Sequence, residues 1–264
     1  LLADYLDSNA LHEIGSTCAG ITTEFENVPA ESLRILAEHG VVSHAASSVA
    51  VAQNRILEKK FIATNGFEVV PYAVIQNSHN SNGALPQTTP DLFPGLLKVS
   101  RFGYDSKGQV RVNNAAELDS AFNGFHREPC VLEQLLPLES EVSVIVARGF
   151  DGEVATFPVS ENQHGNGILD VSIVPARISP EIVQRAREAA IGIAEKLDHR
   201  GVLCVEFFVL ADGSRSKLLV NEIAPRPHNS GHYTIDACIT SQFEQQLRIL
   251  CGMPLGSTTM HGAA

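Results

Sequence analysis

One stretch constrains this chain more than any other: Val202-Leu203-Cys204-Val205-Glu206-Phe207-Phe208-Val209-Leu210, apolar at every position but one. Length, flanks and β-branched and aromatic content predict a strand. Ala211-Asp212-Gly213 is a hairpin signal, and Lys217 to Ile223 reads as the returning strand. Glu206 interrupts the first strand, and Glu222 lies in the second, within LLVNEIAPR. An unpaired carboxylate inside an apolar strand costs several kcal/mol. Two carboxylates brought together by a hairpin repel unless a cation or a proton joins them. Mg²⁺ suits such a pair, because it takes hard oxygen ligands and shares them with phosphates. Pairing of each Glu with an Arg or Lys is the alternative.

Around this hairpin, helical and strand patterns alternate, which predicts an α+β or α/β architecture. Gly20 to Glu26 reads as a strand, and Asn27-Val28-Pro29-Ala30-Glu31 opens a helix. A second helical stretch after Ser47-Ser48 carries Val49, Ala52 and Ile56 on one face. Ser78 to Pro90, rich in Ser, Asn, Gly, Thr and Pro, reads as a loop or joint. Strands follow in LLKVSRFGYDSKGQVRV, CVLEQLLP and EVSVIVARGFDGEVATFPV, with a short helix in AAELDSAFNGF. Ser179-Pro180-Glu181 caps a helix whose apolar face is Ile182, Ala186, Ala189, Ala190, Ile193 and Leu197. A last helix holds Ile239, Phe243, Leu247 and Leu250 and ends at Gly252.

Composition narrows the partners. The 264 residues are 44% hydrophobic and 19% charged, as in a globular protein with ample core. A formal net charge of -11 disfavours nucleic acid and anionic membrane as general partners. An anionic ligand must therefore be met by local basic groups. No run reaches the about 18 apolar residues of a membrane span. The five scattered cysteines, with no CxxC, fit buried or incidental thiols in a reducing cytosol.

Three further segments carry chemistry. Lys98 stands in a strand before Arg101-Phe102-Gly103-Tyr104-Asp105-Ser106-Lys107-Gly108-Gln109. An ammonium followed by a glycine-bearing turn can hold polyphosphate, though an ordinary charged hairpin turn fits the spacing too. Glu133-Gln134-Leu135-Leu136, with Glu141 beyond, could face ribose hydroxyls or an adenine amine, or be a solvated strand end. Ala224-Pro225-Arg226-Pro227-His228-Asn229-Ser230-Gly231-His232 follows the hairpin directly and offers a cation and donors to a small anion. A capped surface loop is the plainer reading. His164, in Glu161-Asn162-Gln163-His164-Gly165, reads as belonging to a similar polar segment between strands.

In order, TTEFENVP, QNRILEKKF, LLKVSRFGYDSKGQ, VLEQLLPLESEVSVI, FPVSENQHGNGI and VNEIAPRPHNSGHYT resemble the 5-(carboxyamino)imidazole ribonucleotide synthase family of the ATP-grasp superfamily. The likeness runs from about residue 21 to 256, and NEIAPRPHNSGH is its most specific segment. It implies a cytoplasmic, homodimeric ligase in which two α+β subdomains clamp ATP. Bicarbonate attacks the γ-phosphate, and the resulting carboxyphosphate delivers carbon dioxide to the amine of 5-aminoimidazole ribonucleotide. The implied domains are 1–45, the end of an N-terminal α/β domain; 46–134, the small ATP-grasp subdomain; 135–256, the large one; and 257–264, the start of a further domain.

The resemblance also implies roles. Arg55 and Lys98 contact nucleotide, Gly103 to Gln109 cover the phosphates, and Glu133 to Leu136 line adenine. Glu141 meets the ribose and His164 the nucleotide. Glu206 and Glu222 hold Mg²⁺ beside Asn221. Arg226 and His228 stand where bicarbonate reacts, with Lys98 absorbing developing charge, and Asn229, Ser230 and His232 support the substrate. The family pattern has more glycine in the lid than Phe102-Gly103 and Ser106 provide, which implies a stiffer lid. It also has a glycine-rich N-terminal turn and a C-terminal domain that this sequence does not include, so a fragment is expected. Other ATP-grasp ligases, such as formate-dependent glycinamide ribonucleotide transformylase or a biotin-carboxylase relative, and a silent ATP-binding module are the competing readings.

Overall fold

The structure is a computed structural model and describes residues 1–77, 90–101, 108–165, 167–212 and 215–264. The chain begins with helix α1 (Ser8–Thr17), capped by the Asp7 carboxylate. Strand β1 (Gly20–Ile21) pairs in parallel with β2 (Val41–Val42), and α2 (Ala30–Leu36) connects them. The strand expected over Gly20 to Glu26 is thus only two residues long. Beyond it the Gln53 amide donates to the carbonyls of Glu26 and Val28, so side-chain bonds replace a ladder.

The single helical stretch expected after Ser47-Ser48 is two helices, α3 (Ala46–Ala52) and α4 (Arg55–Thr64). Asn54 causes the break, because its side chain accepts from the Ile56 and Leu57 N–H groups and caps α4. Ile56 therefore belongs to a different helix from Val49 and Ala52.

A four-stranded antiparallel sheet follows, ordered β3 (Tyr72–Ile75), β6 (Cys130–Gln134), β4 (Gly95–Val99), β5 (Gln109–Val112). Helix α5 (Ala115–Gly124) lies against it and supplies Leu118 and Phe122 to a core with Leu97 and Leu132. The second sheet is built from β7 (Leu138–Arg148), β8 (Val154–Thr156), β9 (Ser160–Gly165), β10 (Ile168–Ile173), β11 (Gly201–Asp212) and β12 (Arg215–Ala224). Its order is β10-β9-β7-β11-β12, with β8 on the far end of β7. His164, expected between strands, lies within β9, paired with Leu169.

Period-two alternation divides the large sheet. Val142, Val144 and Val146 of β7, with Leu203, Val205, Phe207 and Val209 of β11, face helix α6 (Pro180–Lys196). Ser179 caps that helix, and Ile182, Ala186, Ala190 and Ile193 are its buried stripe. Each large apolar side chain so buried contributes about 1.5–3 kcal/mol. The opposite face holds Ile145, Ala147, Val202, Cys204 and Ala224 under α8 (Gln242–Leu250), which follows the short α7 (Thr234–Ala237). Here the expected apolar face fails: Ile239 and Leu247 are exposed, and α8 buries Gln242, Gln245 and Gln246 with Ile249.

Candidate functional site

The face of the large sheet that carries Cys204 continues past the cover of α8, and there its residues turn polar. Glu206 sits opposite Ser143 on one neighbour and opposite Glu222 on the other. On β9, Ser160 and Asn162 stand opposite Ser143 and Glu141. Between Glu206 and Phe207 the register with β12 slips by one, leaving Asn221 as an extra residue. Such a bulge re-aims side chains at a strand end. A cleft of about 360 Å³ opens over this face, lined by Glu141, His164, Glu206, Asn221 and Glu222 from the large sheet. Leu96, Lys98, Gly108 and Gln109 line it from the small sheet, Arg226, His228 and Asn229 from the segment after β12, and Arg55 and Glu26 close it.

The two glutamates have unlike surroundings. Burial, and then the neighbouring Glu222 charge, push the Glu206 carboxyl up to about 8. Burial would also raise Glu222, but Arg55 and then Lys98 outweigh it and hold that carboxyl down near 2. The Arg55 guanidinium lies 2.8 Å from Glu222, whose side chain is 37% exposed to the cleft. Glu222 thus has a protein cation, as the ion-pair alternative anticipated, whereas among the described residues Glu206 has no Arg or Lys ion pair and meets His228 Nε2 at 3.4 Å and the Asn221 side chain. Burial, then Arg226, lowers the His228 imidazole to about 4, so it gives Glu206 no full countercharge.

This donor set fits a hard divalent cation. Glu206 is an under-neutralised carboxylate, Glu222 stands beside it, and the Asn221 Oδ1 is buried with no hydrogen-bond partner among the described residues. Cys204, Glu206 and His228 also place ligand atoms within 4.8 Å of one another. Burial drives the Cys204 thiol far above its usual range, however, which disfavours the thiolate a softer metal needs.

Lys98 Nζ donates to Glu133 at 2.7 Å, and Lys59 Nζ lies 2.9 Å from the other oxygen of the same carboxylate. Lys59 also donates to the Asn221 carbonyl at 2.8 Å, so it ties the small sheet to the bulged strand. Glu133, expected to line adenine, is committed to two lysines and lies behind Lys98, outside the cleft lining. Gln134, Leu135 and Leu136 lie outside the cleft lining, and the Gln134 amide donates to the Asp91 carbonyl. Glu141 accepts from His164 at 3.1 Å, and that bond raises the imidazole above its ordinary value.

Arg226 pairs with Glu26 at 2.8 Å, while its buried Nε has no partner among the described residues. Asn229 lines the cleft, but Ser230 is fully buried behind His228, and His232 is outside the lining, stacked on Phe243 with centroids 5.9 Å apart. Ser230 and His232, expected to support the substrate, stand behind the cleft wall and not in its lining. The expected lid residues Gly103, Tyr104, Asp105, Ser106 and Lys107 lie outside the described residues; Gly108 and Gln109 are in the cleft wall.

Sequence reasoning missed several residues. Lys59 and Glu58 sit in a helix whose charges look solvated, yet both are buried. Glu58 accepts from the Ile223 N–H at 2.7 Å, and burial, then Glu222, raises it to about 8. Gln242 grips His228 through both backbone groups, accepting from its N–H at 2.9 Å and donating to its carbonyl at 2.7 Å. The only advance signal was the amide-rich face of α8, where three glutamines replace apolar residues.

Known proteins match this geometry and sequence. Residues 1–53 match the ribonucleotide synthetase preATP-grasp domain, and residues 60–243 match the ATP-grasp domain. The chain is 42% identical over 260 residues to the N5-carboxyaminoimidazole ribonucleotide synthase of Bacillus subtilis (strain 168), a match covering 98% of this chain and 67% of that protein. It superimposes on the ADP complex of an N5-carboxyaminoimidazole ribonucleotide synthetase with a TM-score of 0.90 at 41% identity, covering 100% of this chain and 68% of the other. The Aspergillus clavatus N5-carboxyaminoimidazole synthase, in complex with ADP and 5-aminoimidazole ribonucleotide, matches with a TM-score of 0.87 at 28% identity, covering 99% and 68%. The chain spans about two thirds of the length of these relatives.

Proposed function

The chain belongs to the N5-carboxyaminoimidazole ribonucleotide synthase family of ATP-grasp ligases, and from that premise we propose that its cleft carboxylates 5-aminoimidazole ribonucleotide with ATP and bicarbonate. ADP and phosphate are the other products, and the setting is purine biosynthesis. The observation that carries the reading is the facing pair Glu206 and Glu222 on the cleft floor, with Lys98 on the opposite wall.

Each group has a task consistent with its surroundings. Lys98, oriented by Glu133, brings positive charge to the phosphates, and Gly108 and Gln109 complete that wall. His164, bonded to Glu141, faces the nucleotide. Glu206, Glu222 and Asn221 would hold Mg²⁺, which when bound neutralises phosphate charge and orients the γ-phosphoryl group. Arg226 presents a cation to bicarbonate, and His228 stands beside it. Carboxyphosphate hydrolyses readily, so exclusion of water from the cleft belongs to the chemistry. No helix among the described residues is long and apolar enough to cross a membrane. A homodimer in the cytoplasm completes the proposal, on family likeness alone.

ADP release tests the proposal. It should require both bicarbonate and 5-aminoimidazole ribonucleotide. Release stimulated instead by formate with glycinamide ribonucleotide would move the chain to the neighbouring ligase class.

A further inference from the structure

We infer that Ser143, acting through Ser230, is a positioning residue that fixes the His228 proton on Nε2, so that the ring enters the cleft as a hydrogen-bond donor. The inference deepens the carboxylase reading and rests on it for the reaction served, but the proton placement follows from geometry. The Ser230 peptide N–H donates to His228 Nδ1 at 3.3 Å, making His228 the cap of the short turn that follows. A ring nitrogen that accepts from a peptide N–H carries no proton of its own.

The hydroxyls behind it agree. Ser143 Oγ donates to Ser230 Oγ at 2.6 Å, which leaves the Ser230 hydrogen for Nδ1 at 2.9 Å, a stronger acceptor than the Cys204 Sγ at 3.8 Å. Ser143 Oγ accepts from the Asn162 amide at 3.0 Å and lies 2.7 Å from Ser160 Oγ. The Ser143 hydrogen already points to Ser230, and the Ser160 hydroxyl has two acceptors on Ser143, its Oγ at 2.7 Å and its carbonyl at 3.4 Å. Ser143, Ser160 and Ser230 are buried, so bulk water does not compete for these positions.

Nε2–H then faces Glu206 Oε1 at 3.4 Å on the cleft side. In this form His228 stabilises an anionic oxygen by donation, and its cleft-side nitrogen is closed to any role as a base toward bicarbonate. Ser143 is the cross-strand neighbour of Glu206, but its hydroxyl reaches the imidazole only through Ser230, so it acts on the ring by orienting it.

The test is nitrogen-15 NMR of the imidazoles in the ligand-free chain, with the His228 signals identified by their loss in His228→Gln. The expected result is the Nε2–H form in at least about tenfold excess, as for a buried, doubly satisfied acceptor. Ser143→Ala leaves the Ser230 peptide N–H in place, so it should reduce that excess several-fold without reversing it, and lower kcat about tenfold at unchanged KM for ATP. Ser143→Thr, which restores the hydroxyl, should recover both. A dominant Nδ1–H form in the unaltered chain would overturn the inference, as would Ser143→Ala with ratio and kcat unchanged. The ratio is read without turnover, so its failure is separate from failure of the carboxylase reading.

Discussion

Glu133→Gln perturbs the group that joins the two sheets at the cleft. Glu133, Lys59 and Lys98 side chains are 4%, 1% and 10% exposed, so solvent screens their attraction little. Burial alone would raise the Glu133 carboxyl, but Lys98 and then Lys59 pull it from 4.5 down to about 2. At about 1.4 kcal/mol per pKa unit, that depression is linked to about 3 kcal/mol of stability. Because the folded value is the lower one, the contribution is present above pH 4.5 and lost as pH falls through 2. Glutamine keeps the shape but leaves two buried ammonium groups against a neutral amide, a change in the range of about 3–5 kcal/mol. For a chain of this size that is roughly 5–9 °C in Tm. Urea unfolding at pH 7 and again at pH 3 measures it, and the gap between parent and variant should narrow at the lower pH. Adding Lys59→Met to the variant should return some of the loss. A difference below about 1 kcal/mol at pH 7 would refute the claim that this triad is a buried, mutually dependent unit.

Replacing Glu206 and Glu222 separately should give unlike results. Each Gln variant should lose about a hundredfold or more in turnover, comparable to removing one electrostatic contact with a transition state. Glu206 has a raised folded value, so its proton-linked stability is full below pH 4.5 and is lost as pH rises through 8. Without metal, Glu206→Gln should therefore melt no lower than the parent at pH 7 and higher at pH 9. Glu222→Gln takes a carboxylate from Arg55 and should melt lower, and equal melting behaviour of the two would contradict the assigned asymmetry. Mg-ATP should raise the melting temperature of the parent by mass action, and Lys98→Met should abolish most of that shift; an undiminished shift would remove Lys98 from the phosphate wall.

The sequence made the hairpin legible for a physical reason. A lone carboxylate in an apolar strand is so costly that Glu206 marks itself, and the strand period then aims it at the cleft with Glu222 opposite. Helix α6 was legible because Ser179 and an unbroken apolar stripe agree. What stayed hidden depends on contacts distant in sequence. Lys59 is buried because Glu133 and the Asn221 carbonyl meet it, 74 and 162 residues away along the chain. Nothing in QNRILEKKF separates it from a solvated helix lysine. The face of α8 was misread because glutamines, not Ile239 or Leu247, go inside to satisfy backbone groups of His228 and the Gly256 turn. The Glu26 contact to Arg226 was missed because Gly20 to Glu26 read as one strand.

Activation of bicarbonate is the step on which the cleft chemistry turns. Oxygen-18-labelled bicarbonate, given to the chain with Mg-ATP and 5-aminoimidazole ribonucleotide, reports the step through the isotope content of the phosphate released. Attack of bicarbonate on the γ-phosphate predicts one labelled oxygen in each phosphate, with carboxylated product formed in equal amount. Phosphate carrying oxygen from solvent water alone would contradict it, since ATP would then be hydrolysed without activating bicarbonate.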